Sequence, residues 1–290
     1  MKKFIKVLTV LSLILTVISL TACSNAQLNT SNYLWFKNPT AFKTNFKEVL
    51  TYDVSYVTTL EAKTNKDGNY YVYTTEFSLK AKYITPTSTK EFIDTFKSVS
   101  TFSENLKPIS TSKEYFSEFS DFKYSYELIY EDNKATATLK EYNLSEENSR
   151  DNTFTFDKYT KGAFVDNDTI LLIPRLFTIS GTFVQDFKTI DVLSNKNHKM
   201  QYYTYLVDQN VDVKVLSGYT LNGEQVGLEG LQCNHIEVAI NDNFSGSPIE
   251  CYYAQDRDTH RHRLIETFTP FGNVGYLKYS LANAVVENDN

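Results

Sequence analysis

The chain has 290 residues, with 29 Lys and Arg against 35 Asp and Glu for a formal net charge of −6. Losing residues 1–22, as argued next, removes Lys2, Lys3 and Lys6 and leaves −9, a balance that excludes nucleic acid and anionic membrane as partners, since both call for a clustered basic surface. The 21 Tyr and 20 Phe beside one Trp and two Met point to strands, because aromatic and β-branched side chains suit a pleated, half-buried surface.

At the N-terminus, Lys2, Lys3 and Lys6 precede an apolar stretch, Val7 to Leu20, broken only by Thr9, Ser12, Thr16 and Ser19. A helix that crosses a bilayer needs about 20 such residues. This stretch has 14, the length of a secretory signal core, and small residues follow it. The exit, Leu20-Thr21-Ala22-Cys23, has the apolar-small-small-Cys order of a lipobox and resembles a bacterial lipoprotein precursor. The resemblance implies that residues 1–22 are a signal peptide, that Cys23 carries the lipid, and that the protein is lipid-anchored at the extracytoplasmic face of the cell membrane. A plain signal peptide with a chance cysteine is the alternative. Lipid anchors rather than spans, and stable attachment takes more than one acyl chain, which bacterial lipoproteins as a class carry.

Residues 23–40 begin small and polar and read as a lipidated tether, leaving 41–290 as one domain, a length that a single all-β domain reaches. Phe42, Phe46 and Val49 after Thr40 suggest one or two helical turns. From Leu50 the period becomes two: Leu50, Tyr52, Val54, Tyr56, Thr58 and Leu60 share a face, as in a half-buried strand. Asn65-Lys66-Asp67-Gly68 supplies a turn, and Tyr71, Tyr73, Thr75, Phe77, Leu79, Ala81 and Tyr83 alternate back as the second arm of a long hairpin. The same grammar recurs in Phe122–Tyr130 and Ala135–Tyr142 around Glu131-Asp132-Asn133-Lys134, and 142–152 reads as a loop.

Asp168 to Ile179 is the exception: an apolar stretch with capping residues before it and Gly181 after it, which predicts a helix kinked at Pro174 and packed on the sheet. Period-two runs resume at about 183–193, 200–207, 211–217, 231–240, 249–257, 261–268 and 274–282, with turn signals at Asn222-Gly223 and Gly246-Ser247-Pro248. The expected fold class is therefore mainly β with minor α: a curved antiparallel sheet or half-open β-barrel of roughly a dozen strands, with one or two helices packed on it. Cys233 and Cys251 fall on neighbouring expected strands, in a compartment where disulfides persist. If the turn between them centres on Ser245-Gly246, Cys251 stands opposite a residue near 240 rather than Cys233, which exceeds the reach of the bond. They are kept as a candidate disulfide.

Two stretches of the second half, "YTLNGEQVGLEGLQCNHIEVAI" and "PIECYYAQDRDTHRHRLIETFTP", resemble the closing hairpins of envelope proteins related to the lipoprotein carriers LolA and LolB. They also resemble an uncharacterised envelope-protein family of that shape, in which Gly230, Ile236, Val238, Ile240, Tyr252 and Asp256 would hold the pattern positions. The resemblance covers about residues 165–282, and 50–85 loosely. It implies a half-open antiparallel barrel whose concave face captures acyl chains or other apolar molecules. Independently, a curved sheet rich in aromatic faces can surround an apolar cavity, the usual kind of ligand site, although alternating Tyr and Phe also make ordinary core.

Polar residues are dense only at Asp256-Arg257-Asp258-Thr259-His260-Arg261-His262-Arg263. On a strand, His260 and His262 share a face and with Asp256 or Asp258 could ligate zinc or copper, but three arginines repel a cation and a solvated strand or turn is the plainer reading. His198 and His235 have no partner visible from spacing, and Glu224 with Glu229 match paired-carboxylate chemistry in number only. The motifs G-x-S-x-G, H-E-x-x-H, C-x-x-C and G-x-x-x-x-G-K-[ST] are absent from the sequence. The expectation is a non-catalytic protein without cofactor or metal, joined to the membrane by its lipid and binding a hydrophobic or amphipathic ligand. A structural or protein-interaction module of the cell envelope, using exposed sheet edges, is the alternative.

Overall fold

The computed structural model describes residues 31–43, 49–84, 88–119, 121–132, 134–143, 149–157, 165–176, 183–190, 192, 201–212, 218–228, 231–240, 248–255, 262–271 and 275–286. Residues 1–22, Cys23, His198, Glu229, Gly230, Asp256, Asp258 and His260 lie outside them.

The alternation that starts at Leu50 builds β2 (Val49–Asn65), and the returning one builds β3 (Gly68–Ile84). They pair without interruption from Asn65↔Gly68 to Val49↔Ile84. The turn closes because the Asp67 N–H donates to Asn65 Oδ1 at 2.8 Å and Gly68 takes φ 121°, a region that a Cβ disfavours. Thr58, Leu60, Tyr73, Thr75, Leu79 and Ala81, all on the expected face, are buried. Beyond β3 the sheet extends as a meander through β4 (Thr89–Ser103), β5 (Pro108–Ser117), β6 (Phe122–Tyr130), β7 (Lys134–Asn143) and β8 (Ser149–Asp157).

On the other side of β2 lies β1 (Ser31–Lys43), and beyond it the chain's last strand, β16 (Gly275–Val286). The order then runs β15 (Leu264–Phe271), β14 (Ile249–Ala254), β13 (Gln232–Ile240), β10 (Gln201–Asp212) and β9 (Phe183–Thr189). A small hairpin of β11 (Tyr219–Leu221) and β12 (Glu224–Val226) turns at Asn222 and Gly223, whose φ values of 49° and 89° suit the Asn-Gly turn read in the sequence. β11 lies parallel to β16, and the Asn222 side chain completes that junction by accepting from the Val286 N–H at 2.8 Å. All other strand pairs of this 16-stranded sheet are antiparallel.

The mainly-β expectation is met, and several details are corrected. The tether expected to reach residue 40 gives way from Ser31 to β1, which takes in Thr40 and Phe42 and carries backbone ladders to both β2 and β16, while residues 44–48 of the expected helical turns lie outside the described residues. Of the two strands expected at 200–207 and 211–217, the described residues Gln201–Asp212 form one strand, β10, irregular between Asp208 and Val211, and 213–217 lie outside the described residues. The loop expected over 142–152 is cut short at Ser149 by β8. The helix expected from Asp168 is instead two single 3₁₀ turns, Asn167–Thr169 and Ile173–Leu176. Among the described residues, no helix is long and apolar enough to cross a membrane.

The hydrogen-bonded path is open, ending in β8 and β9. Its ends nevertheless meet through side chains: Ile190 and Val192, just past β9, share one core cluster with Tyr124, Tyr126, Leu128 and Tyr130 of β6, Ala135, Ala137 and Leu139 of β7 and Phe156 of β8. A second cluster joins Leu79, Ala81 and Phe92 of β3 and β4 to Tyr205, Ile236, Tyr253 and Tyr279 on the other half. The sheet therefore curls on itself around a common interior. Residues 165–176 run through that interior as a strap.

Candidate functional site

The strap begins with Asp166, whose extended backbone (φ −71°, ψ 141°) starts the first 3₁₀ turn while its side chain accepts from the Asp168 N–H at 3.0 Å. Carbonyls of Asp166, Thr169 and Leu172 then accept from the N–H three residues on, the 3₁₀ pattern. An α-helix would instead offer the Ile170 carbonyl to residue 174, which is Pro174 and has no N–H. That carbonyl accepts from Tyr205 Oη at 3.0 Å, and the Leu171 carbonyl accepts from Tyr253 Oη at 2.6 Å. Two tyrosines from β10 and β14 thus take the acceptors that a helix would have used.

The other flank of the strap is held by β4, β5 and β6. Asp166 is buried, and its carboxyl accepts from Ser100 Oγ at 2.8 Å, from Tyr130 Oη at 2.7 Å and from Thr111 Oγ1. Asp168 Oδ1 lies 2.5 Å from Lys113 Nζ, and its Oδ2 accepts from Tyr126 Oη at 3.0 Å. This ion pair is itself largely buried, the two side chains being 15% and 9% exposed. Burial alone would lower the Lys113 ammonium, but Asp168, with smaller contributions from Tyr124 and Asp166, holds it above its ordinary value. Burial and the neighbouring Asp168 charge raise the Asp166 carboxyl above its ordinary value, against the hydrogen bonds from Thr111 and Tyr130. Burial, reinforced by Asp168 and Asp166, also raises the Tyr126 phenol.

Beside this cluster, one row of rings crosses five strands in register: Tyr56, Phe77, Phe96, Tyr115 and Tyr124. Phe77 stacks on Phe96 with centroids 5.1 Å apart and Tyr115 on Tyr124 at 5.0 Å. Lys113 Nζ sits 5.1 Å from the Phe96 centroid, so ion cluster and ring row share the strap's face. The first four rings are only half-buried. Between strap and sheet a hollow of about 20 Å³ remains, bounded by Tyr56, Tyr73, Leu171, Leu172 and Leu264. On the opposite face of β2 to β6 a trough of about 490 Å³ carries Glu76, Lys97, Glu114 and Lys123 along its lining.

His262, of the polar run, closes the strap's far end. Its Nε2 lies 3.3 Å from Asn234 Nδ2, which can only donate, and its Nδ1 lies 3.0 Å from the Arg175 carbonyl, which can only accept. Both ring nitrogens are thus engaged in the fold rather than free for a metal. Among the described residues no group of three or more His, Cys, Asp and Glu is placed to hold a metal ion. His235 stacks on Tyr252 with centroids 4.8 Å apart, and Glu224 is exposed on β12. Of the positions carrying the carrier-like resemblance, Ile236 and Val238 are buried, Tyr252 is half-buried and Ile240 is 44% exposed.

Cys233 and Cys251 stand on adjacent strands but are free thiols, so the candidate disulfide is not formed. Cys251 pairs with Ile236 and Cys233 with Ala254. Opposed residues share a face and neighbours alternate, so the two sulfurs lie on opposite sides of the sheet. Burial pushes both thiols up to about 12, and only a thiolate is a good nucleophile. We expect neither to react with a disulfide reagent in the native protein and both to react once urea unfolds it. Stoichiometric labelling before unfolding would contradict the packing.

Capping residues ahead of the apolar stretch are visible in the sequence, whereas Lys113, Ser100 and Thr111 carry no motif that ties them to it. One signal was present: a lysine in place of an apolar residue among the inward positions Thr111, Lys113, Tyr115 and Ser117 of β5.

The sequence matches no family model and no curated protein. Among solved structures, a beta-barrel-like protein of domain of unknown function DUF1849 from Brucella abortus is similar over 91% of this chain and 100% of its own, at 12% identity and a TM-score of 0.52. At that identity the likeness is one of fold, and the chain's mostly antiparallel, curled sheet is β-barrel-like.

Proposed function

We propose that this is a lipid-anchored, extracytoplasmic binding protein that takes a hydrophobic or amphipathic ligand, without catalysis, against the inner face of its curled sheet. In this reading Cys23 carries the lipid, and the barrel-like sheet corresponds to the half-open barrel of the LolA and LolB relatives. The observation that supports it most is the row Tyr56, Phe77, Phe96, Tyr115: four half-buried aromatic rings side by side on the inner face. Half-buried aromatic ring faces set side by side are the kind of surface on which acyl chains pack.

Native mass spectrometry of the gently extracted protein is expected to show co-purifying lipid, and a dansylated fatty acid is expected to brighten on binding. Phe96→Ala should weaken that titration about tenfold, the effect of losing some 1.4 kcal/mol of ring contact, while Ile129→Ala on the outer face leaves it unchanged. An empty protein that also ignores the probe would defeat the reading. The anchor has its own test: an alkynyl palmitate fed to cells should label the wild type and not Cys23→Ala, and equal labelling of both would defeat lipidation at Cys23.

The outer trough favours a second reading, an envelope protein-interaction module, because Glu76, Lys97, Glu114 and Lys123 alternate in sign along it. Crosslinking in intact cells should then trap one discrete partner through that face, and diffuse products would discredit it.

A further inference from the structure

We propose that Asp166 and its neighbours form a proton-operated latch that holds the strap more tightly in acid than at neutral pH. The geometry sets an imbalance of charge. Two carboxylates, Asp166 and Asp168, are buried beside one ammonium, Lys113, and that ammonium sits on Asp168. Asp166 receives only neutral donors: the hydroxyls of Ser100, Thr111 and Tyr130 and the Asp168 N–H. A buried carboxylate that receives no hydrogen bond from a cation is costly to keep ionised, and a like charge nearby adds to the cost. One proton on Asp166 neutralises the cluster. Its new O–H can be accepted by a hydroxyl that previously donated, since Thr111 carries lone pairs as well as a proton.

The shift of Asp166 runs in the same direction. A carboxyl raised by folding contributes stability that is complete below its ordinary value and is lost as pH climbs through the folded one. The strap is thus secured in acid and loosens toward neutrality. The other titratable groups facing it are Lys113 from β5, Tyr124, Tyr126 and Tyr130 from β6, Tyr56 from β2, Tyr73 from β3, Tyr205 from β10, Tyr253 from β14 and His262 before β15, and the strap itself carries Arg175. The tyrosines and the lysine keep their protons between mild acid and neutrality. Among the described residues, His262 is the histidine that faces the strap, at its far end.

The test is hydrogen exchange of the strap amides, 165–176, in the full chain from about pH 4, the ordinary carboxylate range, to about pH 8, corrected for intrinsic rates. Protection in the wild type is expected to rise about tenfold toward acid for each unit by which folding lifts Asp166. Asp166→Asn, a neutral stand-in for the protonated acid, should be as protected at neutral pH as the wild type in acid, and flat between. Asp168→Asn removes the repelling charge and should move the wild-type rise to lower pH. A flat wild-type profile overturns the latch. So does an unchanged pH dependence in Asp166→Asn, which would place the effect at His262. If Asp166→Asn fails to fold, Asp168→Asn decides alone, an unmoved midpoint overturning the proposal. These readouts need no ligand, so they can fail or succeed separately from fatty-acid binding.

Discussion

Lys113→Met is expected to lower the unfolding free energy by about 3–5 kcal/mol, the usual loss when one partner of a buried ion pair is removed. The ammonium lies 2.5 Å from Asp168, and both side chains are largely out of water. Methionine fills much of the same space but leaves Asp168 and Asp166 as two buried carboxylates with no cation beside them. Urea unfolding followed by circular dichroism measures the loss. Adding Asp168→Asn to Lys113→Met should recover most of it, because the stranded charge is then gone while the amide still accepts from Tyr126. A single-variant cost below about 1 kcal/mol, the level of an exposed pair, would show that the strap is not held electrostatically. The pair also sets an alkaline limit. Lys113 is raised by folding, so its contribution is complete below the ordinary lysine value and disappears as pH rises through the folded one.

These side chains explain why the sheet could be read from sequence more easily than the site. β2 and β3 alternate clearly, with Val57 the residue out of place in β2, because their inner faces hold Leu60, Tyr73, Leu79 and Ala81, and burial of apolar groups is what period-two patterning reports. β4 and β5 escaped the same reading because their inner faces hold Asp94, Ser98, Ser100, Thr111 and Ser117, all buried and all polar, together with Lys113. Several of those residues serve the strap's carboxylates, so pattern and site trade off at the same positions, as expected where a local rule is broken for a specific contact. The strap was misread for a related reason. Its apolar length suggests a helix, and Pro174 announces a fault in it, but the tyrosines that capture Ile170 and Leu171 carbonyls come from strands 35 and 82 residues away. No local window contains them. β1 is not legible locally because the polar residues 24–32 run straight into it, and its identity depends on a neighbour, β16, at the opposite end of the sequence.

Leu172→Ala joins the strap's packing to its proposed role. Leu172 is 2% exposed, wedged among Leu60, Tyr73 and Phe102 from β2, β3 and β4. Truncation should cost about 2–5 kcal/mol, the range for leucines whose cavity does not collapse. Collapse is resisted here because three strands line the gap and the strap is pinned on both flanks by Asp166, Asp168, Tyr205 and Tyr253. The space vacated opens onto the hollow of about 20 Å³ bounded by Tyr56, Tyr73 and Leu264. A dry apolar cavity of that origin accepts small apolar molecules. The variant should therefore be less stable to urea yet bind an aromatic probe such as benzene, with its melting temperature rising as probe is added, as linkage requires. If the strap instead swings aside in the native protein, Leu172→Ala loosens it without making a cavity, and benzene produces no stabilisation. The fatty-acid titration would then strengthen relative to the wild type, because the aromatic row beside Phe96 is uncovered. The two measurements distinguish a strap that is part of the core from one that guards it.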